Sequence, residues 1–403
     1  MDNRAYWVWL QQALGEGSYL PWKLHRDYPG GVEEFYQGGP RLWNTRRDIS
    51  DQKAEGLYHF TLDAAQARLE YALKMGWQVL TPECGEYPEC LRNIPDPPAV
   101  LYVQGQLPDL DSGPAIAVTG ARHAWESSIR AAERIGYQLA AGDAVVVSGE
   151  AKGVDSAALK GALTARGRTV CVLPVDLDSP YLLESANLRR SIPQRGGALV
   201  TEYFTQRNPN KGTFPQRNRI ITGLSCGVLL LQAKLKSGTM IYARHAKEQN
   251  RDVFVCLDRA AGPEGQEGCL SLLEDGAKAV DSGEEILAEY QLRFARRSPA
   301  LVENPFRGIF REAERPAPEP VRRLADSGPA EKTPAPAALP QDLSPEAEQL
   351  LTALGSETLA VAQLAERTGL PAARLLALLT QLEMEDLVES LPGKRYRRQG
   401  RRI

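Results

Sequence analysis

The stretch KGTFPQRNRIITGLS, residues 211–225, concentrates side chains able to grip an anion. Arg217 and Arg219 stand two apart around Asn218, with Lys211 ahead of them and the ring of Phe214 alongside. Guanidinium forks suit successive backbone phosphates, and an aromatic face gives a base a surface to stack on. The same residues admit a plainer reading. Phe214 packs its own loop, Asn218 bonds that loop to itself, and the arginines are solvated or paired with Glu202 or Asp155.

Two further stretches have related chemistry. In TGAR, Gly120 allows close backbone approach and Arg122 supplies a fork of donors at the start of a helix. In SGEAKGVD, Ser148, Gly149, Lys152 and Gly153 precede a helix expected over 154–165. Turn amides and a helix N-terminus favour an anion, although glycines after a strand equally serve a tight turn. Neither stretch matches GxGxxG or GxxxxGK[ST], so no nucleotide cofactor is read from them. Three converging basic loops suit a phosphodiester track better than one small anion.

No catalytic or metal-binding set is apparent. His25, His59, His123 and His245 fall in no proton-transfer or metal motif, and Ser148 has no histidine partner in its sequence context. Cys84 and Cys90 lack the second pair or histidine cluster that a zinc site needs. Binding without turnover is therefore expected, with no cofactor.

The elements that must position these loops are short apolar runs at 116–120, 144–149, 168–175, 198–202, 227–233 and 251–257. They do not alternate in polarity and are too short for surface helices. They read as parallel strands buried on both faces, in a doubly wound α/β domain whose ligands collect beyond the strand carboxyl ends. Cys171, Cys226 and Cys256 in or beside them serve as small apolar side chains.

At 403 residues the chain exceeds one ordinary core. Four segments are expected. Residues 1–80 form a helical region of short, hairpin-like helices broken at Gly15–Gly17 and at Pro29–Gly30–Gly31. Residues 81–290 hold the α/β domain, entered through a proline-punctuated connector and an edge strand over 100–103. Residues 291–342 form a spacer, and the overlapping stretch from Pro299 to Pro345 contains ten of the 28 prolines. Residues 343–403 form three helices and a hairpin tipped by Pro392–Gly393, in winged-helix fashion. The helix beginning near Pro371 carries only Arg374 as a base, which argues against strong major-groove binding despite Lys394, Arg395, Arg397 and Arg398.

The formal charge of −3 announces no polyanion partner, but residues 181–225 hold seven basic side chains against Glu184 and Glu202. No apolar run approaches the ~20 residues that span a bilayer, and the N-terminus lacks signal-peptide organisation, so a cytoplasmic, non-membrane protein is expected.

Taken in order, YPECLRNIPDPPAVLYVQG, IAVTGAR, VVVSGEAKGVDSAAL, GGALVTEY, KGTFPQRNRIITGLS, SGTMIYARHAKEQNRDVF and EGCLSLLEDGAKAV resemble the DNA-processing protein A (DprA/Smf) family. The resemblance covers about residues 88–290. It implies an extended Rossmann-like, mostly parallel sheet with an N-terminal helical domain and a C-terminal winged helix. It also implies sequence-tolerant binding of single-stranded DNA as a dimer, and loading of a RecA-type recombinase in natural transformation or recombination. By position, the family's DNA-contacting loops fall on Gly120, Arg122, Ser148, Gly149, Lys152, Gly153, Lys211, Arg217, Asn218 and Arg219.

The chain departs from the family pattern at Lys152, where an arginine is usual, at Ala158 in place of histidine, and at Gln216 in place of a second arginine. Gln232 replaces an acidic residue, and Asp258–Arg259 replace a proline–glycine. Loss of charge at Gln216 is expected to weaken phosphate affinity. Two alternatives arise from other readings. A nucleotide or nucleoside-phosphate hydrolase would need PGGxGTxxE, of which only GGALVTE at 196–202 is present. A scaffold with decayed DNA binding would rest on the accessory domains, with 228–246 as a self-association face.

Overall fold

The computed structural model describes residues 2–180, 186–205, 208–210, 212–294, 345–355, 358–384, 387–391 and 395–398. The chain divides into two compact units, 1–304 and 305–403. Most of the expected spacer and the basic residue Lys394 lie outside the described residues.

In the first unit, nine strands form one sheet: β1 (Gln78–Leu80), β2 (Leu101–Gly105), β3 (Ala115–Gly120), β4 (Val145–Ser148), β5 (Thr169–Val172), β6 (Ala198–Thr201), β7 (Gly227–Leu231), β8 (Asp252–Cys256) and β9 (Lys278–Ala279). Their order is β1-β2-β6-β5-β4-β3-β7-β8-β9. From β6 to β9 every pairing is parallel, while β2 runs antiparallel to β6 and to β1. The sheet is thus mostly parallel, as the unbroken apolar runs require. Ile116, Val146, Val170, Val200 and Leu229 are all at most 3 % exposed, because helices cover both faces.

The chain builds outward from β3 through β4, β5 and β6, then returns to place β7 on the other side of β3. Connections after β3 and after β7 therefore leave in opposite directions and open a crevice at the strand carboxyl ends. Gly120 pairs with Leu231 at that rim, and Ser148 with Cys171. The apolar region 228–246 belongs largely to the interior: Val228, Leu229, Leu230 and Ala246 are fully buried.

Five N-terminal helices, Arg4–Leu14, Leu20–Asp27, Gly31–Trp43, Asp51–His59 and Leu62–Lys74, share one continuous hydrophobic core with the sheet. Trp7, Trp9 and Phe35 are fully buried in it. Two buried polar links fix the seam. Gln11 donates to the Glu202 carbonyl at 2.9 Å and accepts from the Tyr102 hydroxyl at 3.2 Å. Trp22 donates to the Pro98 carbonyl at 3.0 Å, anchoring the proline-rich connector. Residues 1–80 are therefore structurally continuous with the α/β domain, because an aromatic helical face and a sheet edge bury each other.

The second unit holds helices Pro345–Leu354, Val361–Thr368 and Ala372–Met384 with strands β10 (Thr358–Ala360), β11 (Val388–Leu391) and β12 (Arg395–Arg398) in the order β10-β12-β11. This is a winged-helix arrangement. Leu375, Leu378, Leu379 and Leu382 are buried in its separate core. Arg374 is engaged by Glu346 at 2.5 Å, and Arg397 by Glu389 at 2.8 Å.

Candidate nucleic-acid interface

FPQRNR lies in a helix, Thr213–Gly223, and not in a loop. The Asn210 side chain accepts from the backbone N–H of Gly212 at 2.8 Å and of Thr213 at 3.1 Å, satisfying donors that a helix start leaves orphaned. Pro215 sits in the first turn, where its missing N–H costs nothing. At helical spacing Phe214 and Arg217 share a face.

That face meets the other two stretches. The Arg122 guanidinium carbon lies 4.8 Å from the centre of the Phe214 ring, and that of Arg217 lies 5.7 Å from it. Arg217 Nη1 donates to the carbonyls of Gly149 and Val172, each at 2.8 Å, so the SGEAKG turn rests directly on the arginine. A Cβ on Gly149 would stand 1.8 Å from that Nη1, and only glycine leaves the space. Gly153, at φ 81°, brings the same turn against the TGAR segment: a Cβ there would lie 2.4 Å from the Ala121 carbonyl. Lys152 is exposed at the apex of this turn. Gly120 ends β3, its carbonyl accepting from the Thr239 hydroxyl at 3.2 Å. Arg122 precedes its helix by several residues, since that helix begins at Glu126.

The structure therefore brings Gly120, Arg122, Gly149, Lys152, Gly153, Phe214 and Arg217 together at one rim, with Lys152 exposed, Arg122 half-buried, and Phe214 and Arg217 buried beneath them. Other expected residues are placed differently. Arg219 is turned inward, 2 % exposed, and pairs with Glu202 at 2.7 Å and with Asp96 at 3.0 Å. This corrects the expectation of an outward pair of arginines: Arg217 is likewise 2 % exposed, and residues two apart on a helix bury their side chains toward different neighbours. The Ser148 hydroxyl is fully buried and donates to the Val118 carbonyl at 2.6 Å, so it braces β4 against β3. Asn218 is 5 % exposed, and its Oδ1 has no hydrogen-bond partner among the described residues. Lys211 lies outside the described residues.

Charge under the rim is arranged in depth. Asp155, 2 % exposed, accepts from the Thr119 hydroxyl at 2.9 Å. Burial pushes its carboxyl up, and the charges of Arg217 and Arg122 draw it partly back. Glu150, fully buried with φ 56°, has its carboxylate held on both oxygens by Arg189, one bond measuring 2.7 Å. Burial again raises this carboxyl, against the pull of Arg189. The Glu150–Arg189 pair escaped the sequence reading, and only the acid's place inside SGEAKG hinted at it. Gln232 accepts from the Trp125 N–H at 2.7 Å, fixing the TGAR segment from β7. Gln216 faces the N-terminal helices: its Oε1 accepts from the Tyr203 hydroxyl at 2.7 Å and its amide abuts Gly17.

A doubly wound sheet whose switch-point rim gathers Arg122, Lys152 and a buried Arg217 around the SGEAKG turn and one aromatic ring has positive charge to offer an anion. Comparison with known proteins specifies which. The family model for DNA recombination-mediator protein A matches residues 78–291, and that for the DprA winged helix domain matches 333–394. The chain is 31 % identical over 413 residues to protein Smf of Synechocystis sp., covering 98 % of this chain and 99 % of the relative. It is 34 % identical over 308 residues to protein Smf of Escherichia coli, covering 76 % and 74 %. The X-ray structure of DNA processing protein A from Streptococcus pneumoniae superposes with a TM-score of 0.61 at 28 % identity, covering 72 % of this chain and 99 % of that one. The chain belongs to the DprA/Smf family of DNA recombination mediators, non-catalytic proteins that bind single-stranded DNA in recombination and natural transformation. Among the described residues no helix is long and apolar enough to cross a membrane.

Proposed function

We propose that the rim formed by Gly120, Arg122, Gly149, Lys152, Gly153, Phe214 and Arg217 is where this chain holds an unpaired DNA strand. The observation that carries the reading is the seating of Arg122 and Arg217 against one aromatic ring, 4.8 and 5.7 Å from its centre. Two sequence-distant segments contribute to that contact, and a third, the SGEAKG turn, rests on Arg217 through the Gly149 carbonyl. Arg122 and Lys152 supply the outer charge. Arg217 acts from beneath, orienting the Gly149 turn and holding the ring. Arg219 supports the helix from the core, and Ser148 and Asn218 support the rim without offering an outward group. Lys211 enters as a further phosphate ligand on the family resemblance alone.

Family membership further supports action as a homodimer that passes its strand to a RecA-type recombinase. The cytoplasm is the compartment where this occurs, and six free cysteines suit a reducing one. The test is binding of a fluorescent oligothymidylate across a salt series by the full chain and by Arg122→Ala. Removing one phosphate contact should reduce the slope of log K against log salt by about 0.7 and weaken every sequence alike. An unchanged slope would remove Arg122 from the strand path.

A further inference from the structure

Between the N-terminal helices and the α/β sheet lies an open cleft of about 410 Å³, lined from the helix Thr213–Gly223 by residues other than those of the rim. Its lining includes Gln12, Glu16, Phe60, Arg68, Thr213 and Gln216. The volume falls in the range of small-ligand sites.

The two charged groups are already committed to building the walls. The Glu16 carboxylate accepts from the backbone N–H of Phe204 at 2.8 Å and of Thr205 at 3.2 Å. The Arg68 guanidinium lies 5.2 Å from the centre of the Phe204 ring, and with the Gln12 amide turned so that its oxygen faces Arg68, Nη1 donates to that oxygen at 2.8 Å. One acid and one base leave the lining without net charge, so a highly charged ligand finds no complement. What remains to offer is the ring of Phe60, 37 % exposed, and the amide of Gln216. The Gln216 Oε1 is taken by Tyr203, while its NH2 has no hydrogen bond among the described residues. An aromatic ring with one amide NH2 donor beside it matches a neutral, planar heterocycle carrying an acceptor on its edge.

Placement adds the second half of the argument. Thr213 and Gln216 are three apart on the helix and line the cavity, whereas Phe214 and Arg217, also three apart, line the rim. One helix thus presents adjacent faces to the two sites. From this we infer that the cavity is a nucleobase pocket, receiving a base from the strand whose phosphates lie on the rim. The inference rests on the strand reading proposed above.

The test compares the full chain with Phe60→Ala/Gln216→Leu, using a fluorescent oligothymidylate and an oligomer of equal length carrying abasic sites throughout. The Phe60 backbone carbonyl, which accepts from Trp9 at 2.9 Å, survives the substitution. The double variant should lose roughly tenfold in affinity for the base-bearing strand, as expected for one lost stacking site, and less than twofold for the abasic one. The abasic arm also shows that the variant is folded. If the ratio of the two affinities equals that of the parent chain, the pocket is overturned while the rim stands. If neither oligomer binds the parent chain, the rim reading falls and takes the pocket with it. Competition with thymidine monophosphate distinguishes the source: displacement that the double variant abolishes assigns the pocket to free nucleotides as well, and its absence confines it to bases presented by a strand.

Discussion

Replacing Arg219 with alanine separates a phosphate ligand from a core ion pair. Arg219 and Glu202 are 2 % and 1 % exposed and meet at 2.7 Å, so each is the other's principal counter-charge. Asp96 also reaches Arg219, but its side chain is 44 % exposed and its share is screened by water. Deleting the guanidinium strands Glu202, whose Oε1 already lacks a partner, in the interior. Removing one member of such a pair costs about 3–5 kcal/mol. That is a large part of the ~5–15 kcal/mol that holds a typical domain folded. Burial raises the Glu202 carboxyl even with Arg219 present, so in the variant it should take up a proton. The folded pKa then lies further above the unfolded value. Proton uptake offsets the loss at low pH, and destabilisation deepens as pH rises through the folded pKa. Urea unfolding followed by tryptophan fluorescence should therefore show a lowered midpoint for Arg219→Ala, more so at pH 8 than at pH 5. Arg219→Leu/Glu202→Leu should recover much of the loss, since neither charge is then left alone. Where the single variant is still folded, its salt slope for oligothymidylate should match that of the parent chain. An unchanged midpoint with a slope reduced by about 0.7 would refute the assignment and restore Arg219 as a phosphate ligand.

Gly149→Ala places a methyl group 1.8 Å from Arg217 Nη1 and must displace a guanidinium bonded to two carbonyls. A stability loss of about 2–3 kcal/mol by urea unfolding is expected, together with weaker oligonucleotide binding; parent-like values of both would show that the turn does not depend on Arg217. Asp155 should give a distinctive pH dependence, because its folded pKa is raised, chiefly by burial. Its contribution to stability is complete below the unfolded carboxyl pKa of about 3.9 and is lost as pH rises through the folded value. The stability of the parent chain minus that of Asp155→Asn should consequently fall with increasing pH above about 4. A difference that grows with pH would mean that Arg217 and Arg122 outweigh desolvation.

Much of this molecule is dictated by local sequence, for local reasons. Val145–Ser148 and Gly227–Leu231 announce buried strands because a parallel sheet covered on both faces tolerates no polar alternation. The glycines of TGAR and SGEAKG mark the turns that leave the sheet at its switch point, which is why the meeting of those two turns was legible from residue types. The fate of each polar group was another matter. Whether Arg219 faces DNA or Glu202 depends on β6 and the helix Thr213–Gly223 packing so that two residues 17 apart in sequence meet. Arg217 is held by carbonyls 45 and 68 residues away, distances that no periodicity encodes. The same holds for the cavity, whose walls come from the N-terminal helices and from residues near 203–216. Residue type and spacing specify which groups are available for binding; the long-range packing of one element on another determines which are consumed in holding the fold and which are left at its surface.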